Sequence, residues 1–263
     1  MAEAATRQDV IVTHDKSVYM DGHDTTKSLL ADRGWTLQQK VALAARFLAE
    51  RKHSRGLAGQ ISARADAASY WTQSYGLGLN ECKASNLLRV DANLKVLEGR
   101  GTPNPANRFH SYIYQKRPEV NAIVHTHPPH ISALSMLGVP LISSHMDSIS
   151  LWNDTAHLAH WPGVPFGDEE GRIISSALGE KRAILLAHHG VLTVGGSIEE
   201  ASTLAVIAEE TAELQLLAMA AGKIQPLPED QAREGHDQLA VKPVYALALF
   251  DYYARQLDSA ALG

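Results

Sequence analysis

Two apolar runs that each end in histidine constrain this chain more than any other feature. The first is Asn121-Ala-Ile-Val-His125-Thr-His127-Pro-Pro-His130, and the second is Ala183-Ile-Leu-Leu-Ala-His188-His189-Gly190. Short runs of small and branched apolar residues, closed by proline or glycine, predict buried strands. Side chains two apart on a strand share a face, so His125 and His127 point the same way from the strand's end. Two imidazoles at that spacing can reach one divalent metal. A bare His-X-His is short and common, and polar residues at a strand mouth would explain it. The second run shifts the balance, because two buried strands that both finish in histidine are hard to account for without a ligand. Three imidazoles, with positions left for water and substrate, are the pattern of a catalytic metal rather than a closed structural one. Spacing does not choose between His188 and His189, since neighbours on an extended chain face opposite ways. Whichever does not bind metal packs, donates a hydrogen bond or meets substrate.

The rest of the composition narrows the class. The 263 residues are 45% hydrophobic and 20% charged, enough for a sizeable core in one large domain or two small ones. A net charge of -5 argues against a polybasic nucleic-acid or membrane-surface binder. Cys82 is the single cysteine, so no intrachain disulfide forms and a reducing compartment is expected. Met1–Lys16 has no apolar signal core, and no run approaches the roughly 20 apolar residues of a membrane span. A cytoplasmic protein with neither nucleic-acid nor membrane partners is expected.

Residues 1–24 are polar and aperiodic and read as an N-terminal arm. Thr36 and Gln39 fit a capping box ahead of a helix that ends near His53–Gly56. Strands are expected at Ile61–Ala65 and Tyr70–Gln73, with a hairpin of Leu87–Asp91 and Leu94–Glu98 around Ala92-Asn93. A helix over Asn107–Lys116 leads to the strand Val120–Thr126, and a further helix covers Ile131–Leu137. Asp168–Leu178 opens on acids that suit a helix N-terminus. It precedes the strands Ala183–Ala187 and Val191–Val194. Ser197 and Glu200 fit a second capping box, on a long helix that runs to Gly222. Residues 25–222 therefore read as one mixed α/β domain. Residues 223–263 read as a linker around Pro226–Pro228 and a helix, Val244–Leu257, that packs on the domain or on a neighbouring subunit.

Three segments, in this order and spacing, resemble the class II aldolase and adducin-head family. They are Gly59-Gln-Ile-Ser-Ala-Arg64, Pro118-Glu-Val-Asn-Ala-Ile-Val-His-Thr-His-Pro128, and Ala183-Ile-Leu-Leu-Ala-His-His-Gly-Val-Leu-Thr-Val-Gly195 with the helix from Ser197. The resemblance covers residues from about 36 to 222. It implies a three-layer α/β/α sandwich with a mainly antiparallel central sheet, and a homotetramer with sites near subunit interfaces. It also implies one divalent metal ion per subunit (zinc, manganese, iron or cobalt), held by His125, His127 and His189.

Departures from the family pattern shape the expected chemistry. The Pro-Ser-Ser-Glu segment of the sugar-phosphate aldolases is here Pro103-Asn104-Pro105-Ala106, so the acid/base carboxylate becomes Ala106. The family's phosphate-binding asparagine is Gln60, and Pro105 has neither hydroxyl nor N–H to offer. Retro-aldol cleavage needs a base and an acid, whereas an ionised carboxylate loses CO2 without a base. A Lewis acid that chelates a ring hydroxyl and its neighbouring carboxylate can stabilise the electrons left behind. Asn107-Arg108-Phe109-His110, the Trp161–Pro165 run and the double histidine resemble the hydroxy-aromatic and pyridine dicarboxylate decarboxylases of the family. The expected function is thus a metal-dependent carbon–carbon lyase acting on an ortho-hydroxy aromatic or pyridine carboxylate. Arg108 is a candidate to grip a substrate carboxylate, with a surface salt bridge as the bland reading. His188 is a candidate for proton delivery, with an outer hydrogen bond as the alternative. Packing is the expected role of His110, and core or interface packing that of at least one of Tyr252 and Tyr253. Ordinary usage accounts for His130, His145, His157 and His160. Competing readings are an aldolase for an unphosphorylated hydroxy-keto acid, an iron-dependent oxygenase, and a non-catalytic adducin-like binding module.

Overall fold

The structure is a computed structural model that describes residues 33–163, 168–240 and 243–257. The arm read at residues 1–24 lies outside them, as do Val164 and Pro165 of the Trp161–Pro165 run. The strands are β1 (Gln60–Asp66), β2 (Ser69–Gln73), β3 (Leu87–Asp91), β4 (Val96–Glu98), β5 (Ala122–Thr126), β6 (Thr155–Leu158), β7 (Ala183–Leu186) and β8 (Val191–Gly195). They form one sheet in the order β4-β3-β2-β1-β5-β8-β7-β6. Only the β6–β7 pair is parallel.

The helices are α1 (Leu37–Glu50), α2 (Arg108–Lys116), α3 (Pro129–Ser135), α4 (Asp168–Leu178), α5 (Ile198–Ala221), α6 (Glu229–Gly235) and α7 (Pro243–Ala254). Strand parity sorts them into two layers. Ala122 and Val124 of β5 pack with Phe47 and Leu48 of α1, Ala201 and Ala205 of α5, and Phe250 of α7. Ile123, between them, packs on the other side with Phe109 and Ile113 of α2 and Ile174 and Leu178 of α4. Leu185 of β7 joins α3 and α5, while its neighbours Ile184 and Leu186 join the α2/α4 side. The result is the α/β/α sandwich.

Topology then fixes where the histidines meet. β5 and β7 both pair antiparallel with β8, so they run parallel and finish at one end of the sheet. The first half of α5 is buried almost all round, as a helix apolar on every side must be.

Local signals explain most boundaries. Both arms of the Thr36–Gln39 capping box form. The box at Ser197 forms by half: Ser197 accepts from Glu200 N, but the Glu200 carboxylate accepts from Gly196 N and Arg182 instead of turning back to its cap. The expected hairpin has its second strand at Val96, not Leu94, because Leu94 adopts a left-handed φ of 65° inside the turn. The helix expected at Ile131 begins at Pro129, a residue well suited to the first turn. The region after residue 222 holds α6 and a π-helical turn, His236–Ala240, ahead of α7. Phe250 and Tyr253 of α7 pack on Phe47 of α1 at ring distances of 5.6 and 5.2 Å. Tyr252 is half-exposed.

Candidate metal centre

His125 lies near the end of β5, buried, on the sheet face that carries α2. Its Nδ1 is 3.0 Å from the Val191 carbonyl of β8. A carbonyl only accepts, so Nδ1 bears the proton and Nε2 presents its lone pair. That Nε2 is 2.9 Å from His127 Nε2 and 3.3 Å from His189 Nε2. The ligand atoms of all three residues lie within 4.8 Å of one another. The strand ends at Thr126, one residue short of His127, and extended backbone at Pro128 precedes α3.

Burial holds His125 well below the usual imidazole range, and the neighbouring His189, His127 and His110 press in the same direction. Burial lowers His127 as well, and it lowers His189 to about 4 with help from His127. The three rings are therefore neutral near pH 7, and protons do not compete for their lone pairs. Three neutral imidazoles whose Nε2 atoms face one another suit a cation between them. A neutral ligand set also leaves a divalent ion's charge free for an anionic oxygen ligand.

Two glycines allow the histidines to approach. A Cβ on Gly190 would lie 2.4 Å from the Thr126 carbonyl oxygen and 2.7 Å from His127 Cδ2. Gly59 has a φ of 101°, and its Cβ would sit 3.1 Å from the His125 carbonyl oxygen. Phe109 closes the inner wall, edge-on to His125 at 5.2 Å.

The structure separates the two adjacent histidines. His189 joins the cluster, whereas His188 is exposed in the β7–β8 turn, with φ 54° and its amide donating to Ser135 O. Arg108, the first residue of α2, pairs with Asp168 of α4 at 3.2 Å, and both side chains are about two-fifths exposed. Such a pair is weak in water. Ala106 packs against the α2/α4 side of the core. Gln60 lies opposite His125 in the β1–β5 register and is buried. His110 is fully buried, and its Nδ1 is 2.6 Å from Ser62 Oγ.

Two contacts escaped the sequence reading. The buried Glu209 of α5 accepts from the backbone N–H and Nδ1 of His130 and from Ile131 N, at 2.8 to 2.9 Å. It therefore anchors the first turn of α3, just after His127. His53, fully buried, meets Thr126 Oγ1 at 2.9 Å from the opposite face of β5. Residues so far apart in sequence leave no local signal. His145 caps a 3₁₀ turn, His157 lies on β6, and His160 is exposed. None of these joins the cluster.

Residues 39–216 match the family described as Class II Aldolase and Adducin N-terminal domain. An L-fuculose phosphate aldolase of Haemophilus influenzae is 32% identical over 73% of this chain and 87% of that protein. Decarboxylase NovR of Streptomyces niveus is 31% identical over 68% of this chain and 67% of that one. The solved L-fuculose 1-phosphate aldolase from Glaciozyma antarctica superposes with a TM-score of 0.75 and 30% identity, covering 84% of this chain and 87% of that one.

Proposed function

The chain belongs to the class II aldolase and adducin N-terminal domain family, and on that premise we propose that it is a metal-dependent lyase that decarboxylates an ortho-hydroxy aromatic or pyridine carboxylate. The observation that carries this reading is the convergence of three imidazole Nε2 atoms in a chain that has Ala106 at the position where the sugar-phosphate aldolases carry their acid/base carboxylate. His125, His127 and His189 would hold one divalent ion, which supplies Lewis-acid stabilisation of negative charge when bound.

The chain's own residues do the rest. The carbon–carbon bond to the departing carboxylate breaks, its electron pair stays on the ring carbon, CO2 leaves, and a proton replaces it. His188, exposed beside His189, delivers that proton. Arg108, half-exposed at the entry to α2, exchanges Asp168 for a second substrate carboxylate that it can grip with two parallel hydrogen bonds. Phe109 excludes water from the inner side. The similarity to Decarboxylase NovR supports lyase chemistry of this kind. The same proposal includes assembly as a homotetramer.

The test is CO2 release from a panel of ortho-hydroxy aromatic and pyridine dicarboxylates, with and without chelator. Release that stops on chelation is expected. An aldehyde and a keto acid formed from an unphosphorylated hydroxy-keto acid, with no CO2 from the panel, would replace decarboxylation by aldol cleavage.

A further inference from the structure

The long helix α5 outlasts the core that it crosses, and after Ala212 only Gln215 of it is fully buried. Thr211, Leu214, Gln215 and Ala218 recur at helical spacing and so share one face. Opposite that face runs the chain from Ile142 to Ser148, and the chain that follows the helix, Lys223 to Gln225, supplies a third wall. Between these walls lies a cavity of about 370 Å³. None of its lining residues belongs to the histidine cluster.

Internal hydrogen bonds hold the cavity in shape. Gln215 Oε1 accepts from Ile142 N at 2.7 Å, and its Nε2 donates to Pro140 O at 2.9 Å, so the buried amide ties one wall to the other. Thr211 Oγ1 donates back along the helix to Ile207 O at 2.6 Å. Ser148 Oγ donates to His145 O at 2.7 Å and accepts from His145 N at 3.3 Å. These buried polar groups are satisfied within the chain and ask nothing of an occupant. Ile142, Leu214, Ala218 and Ile224 line the same space with apolar surface. Two nitrogen donors stand at the rim. Lys223 is exposed and forms no ion pair among the described residues. His145 Nδ1 accepts from Asp147 N at 3.3 Å and lies 3.4 Å from the Asp147 carboxylate. Asp147 thus engages one ring nitrogen only, and the proton on Nε2 is left for a ligand.

We propose that this cavity is a second ligand site, which takes a monocarboxylate with an apolar body. The body lies between Ile142, Leu214 and Ala218, and the carboxylate sits at the rim that Lys223 and His145 form. Apolar walls with a few polar groups at one margin are the usual make-up of a small-molecule site, and the volume falls in the usual range. A carboxylate strengthens each hydrogen bond that it accepts from an ammonium or an imidazole N–H. The proposal does not rest on the lyase reading, because it uses none of the residues assigned to that reaction.

The probe is 4-phenylbutyrate, which has no ortho-hydroxyl with which to chelate a metal. Its binding to the full chain is measured by titration calorimetry after chelator treatment, beside 4-phenylbutyramide and acetate. Saturable binding of one phenylbutyrate per chain is expected. The amide lacks the charge and should bind about tenfold more weakly, and acetate lacks the apolar body and should not saturate. Lys223→Glu, at an exposed position, should weaken phenylbutyrate about tenfold and leave the amide unchanged. Ala218→Trp, which fills the cavity from an exposed position on α5, should abolish binding of both. Circular dichroism checks the fold of each variant. No saturable phenylbutyrate binding by the wild type, as when a second copy of the chain covers this face, would overturn the proposal. So would equal affinity for acid and amide, binding that survives Ala218→Trp, or binding seen only when metal is restored, which would place the ligand at the histidines.

Discussion

Gly190 shows how much a single residue decides here. Its missing side chain lets the β7–β8 turn lie against Thr126 and the His127 ring, where a Cβ would come within 2.4 and 2.7 Å. The obstructing atoms are backbone and ring atoms, so they cannot swing aside as a flexible side chain would. Gly190→Ala should therefore displace His127 and weaken metal binding at least tenfold, measured by competition with a chromophoric chelator. Unchanged affinity would mean that the turn relaxes without moving the ring. His125 is set by a different device, its Nδ1–H donating to the Val191 carbonyl, which selects the tautomer before any ligand arrives. The three clustered histidines were legible in the sequence because strand parity relates His125 to His127. The choice of His189 over His188 was not legible from spacing, because it depends on the left-handed turn at His188.

At the scale of elements, α3 is held by a long-range contact. Pro128 and Pro129 lack the N–H groups that a first turn usually exposes, and Glu209 of α5 takes up the free N–H groups of His130 and Ile131 that follow. A buried carboxylate with three hydrogen bonds is costly to remove, because its donors lose their partner. Glu209→Ala should destabilise the protein by about 1–3 kcal/mol, read as a lower urea midpoint, and should loosen metal binding through His127. A midpoint equal to wild type would show that the clamp carries no load. Elements were legible where caps or proline-closed apolar runs marked them, as at Thr36 and along β5. β6 escaped because Thr155–Leu158 is a four-residue edge strand, half-buried throughout, with no alternation to mark it. The second capping box looked complete because Glu200 has the right spacing, but its carboxylate is drawn to Gly196 N and Arg182 of neighbouring elements.

For the molecule as a whole, the sandwich buries His53, His110 and His125 in its interior. His53 and His110 are both pushed by burial to about 3, with the Arg51 charge adding to the effect at His53. Both are neutral in the folded state, while in the unfolded chain they take up protons below 6.5. The unfolded state then binds more protons, so stability falls as pH drops from 6.5 toward 3, by up to about 1.4 kcal/mol per pH unit for each residue. The metal-free protein should show a clear fall in urea midpoint between pH 7 and pH 5, and a flat profile would contradict the buried neutral state. Among the described residues no helix is long and apolar enough to cross a membrane. The central claim is that His125, His127 and His189 together hold one divalent ion. The most direct measurement is cobalt or zinc stoichiometry per chain, in the wild type and in His125→Ala and His127→Ala, alongside circular dichroism. The expected result is one ion per chain in the wild type and loss of binding in both variants with the fold retained. Stoichiometric binding that persists in either variant would contradict the assigned site.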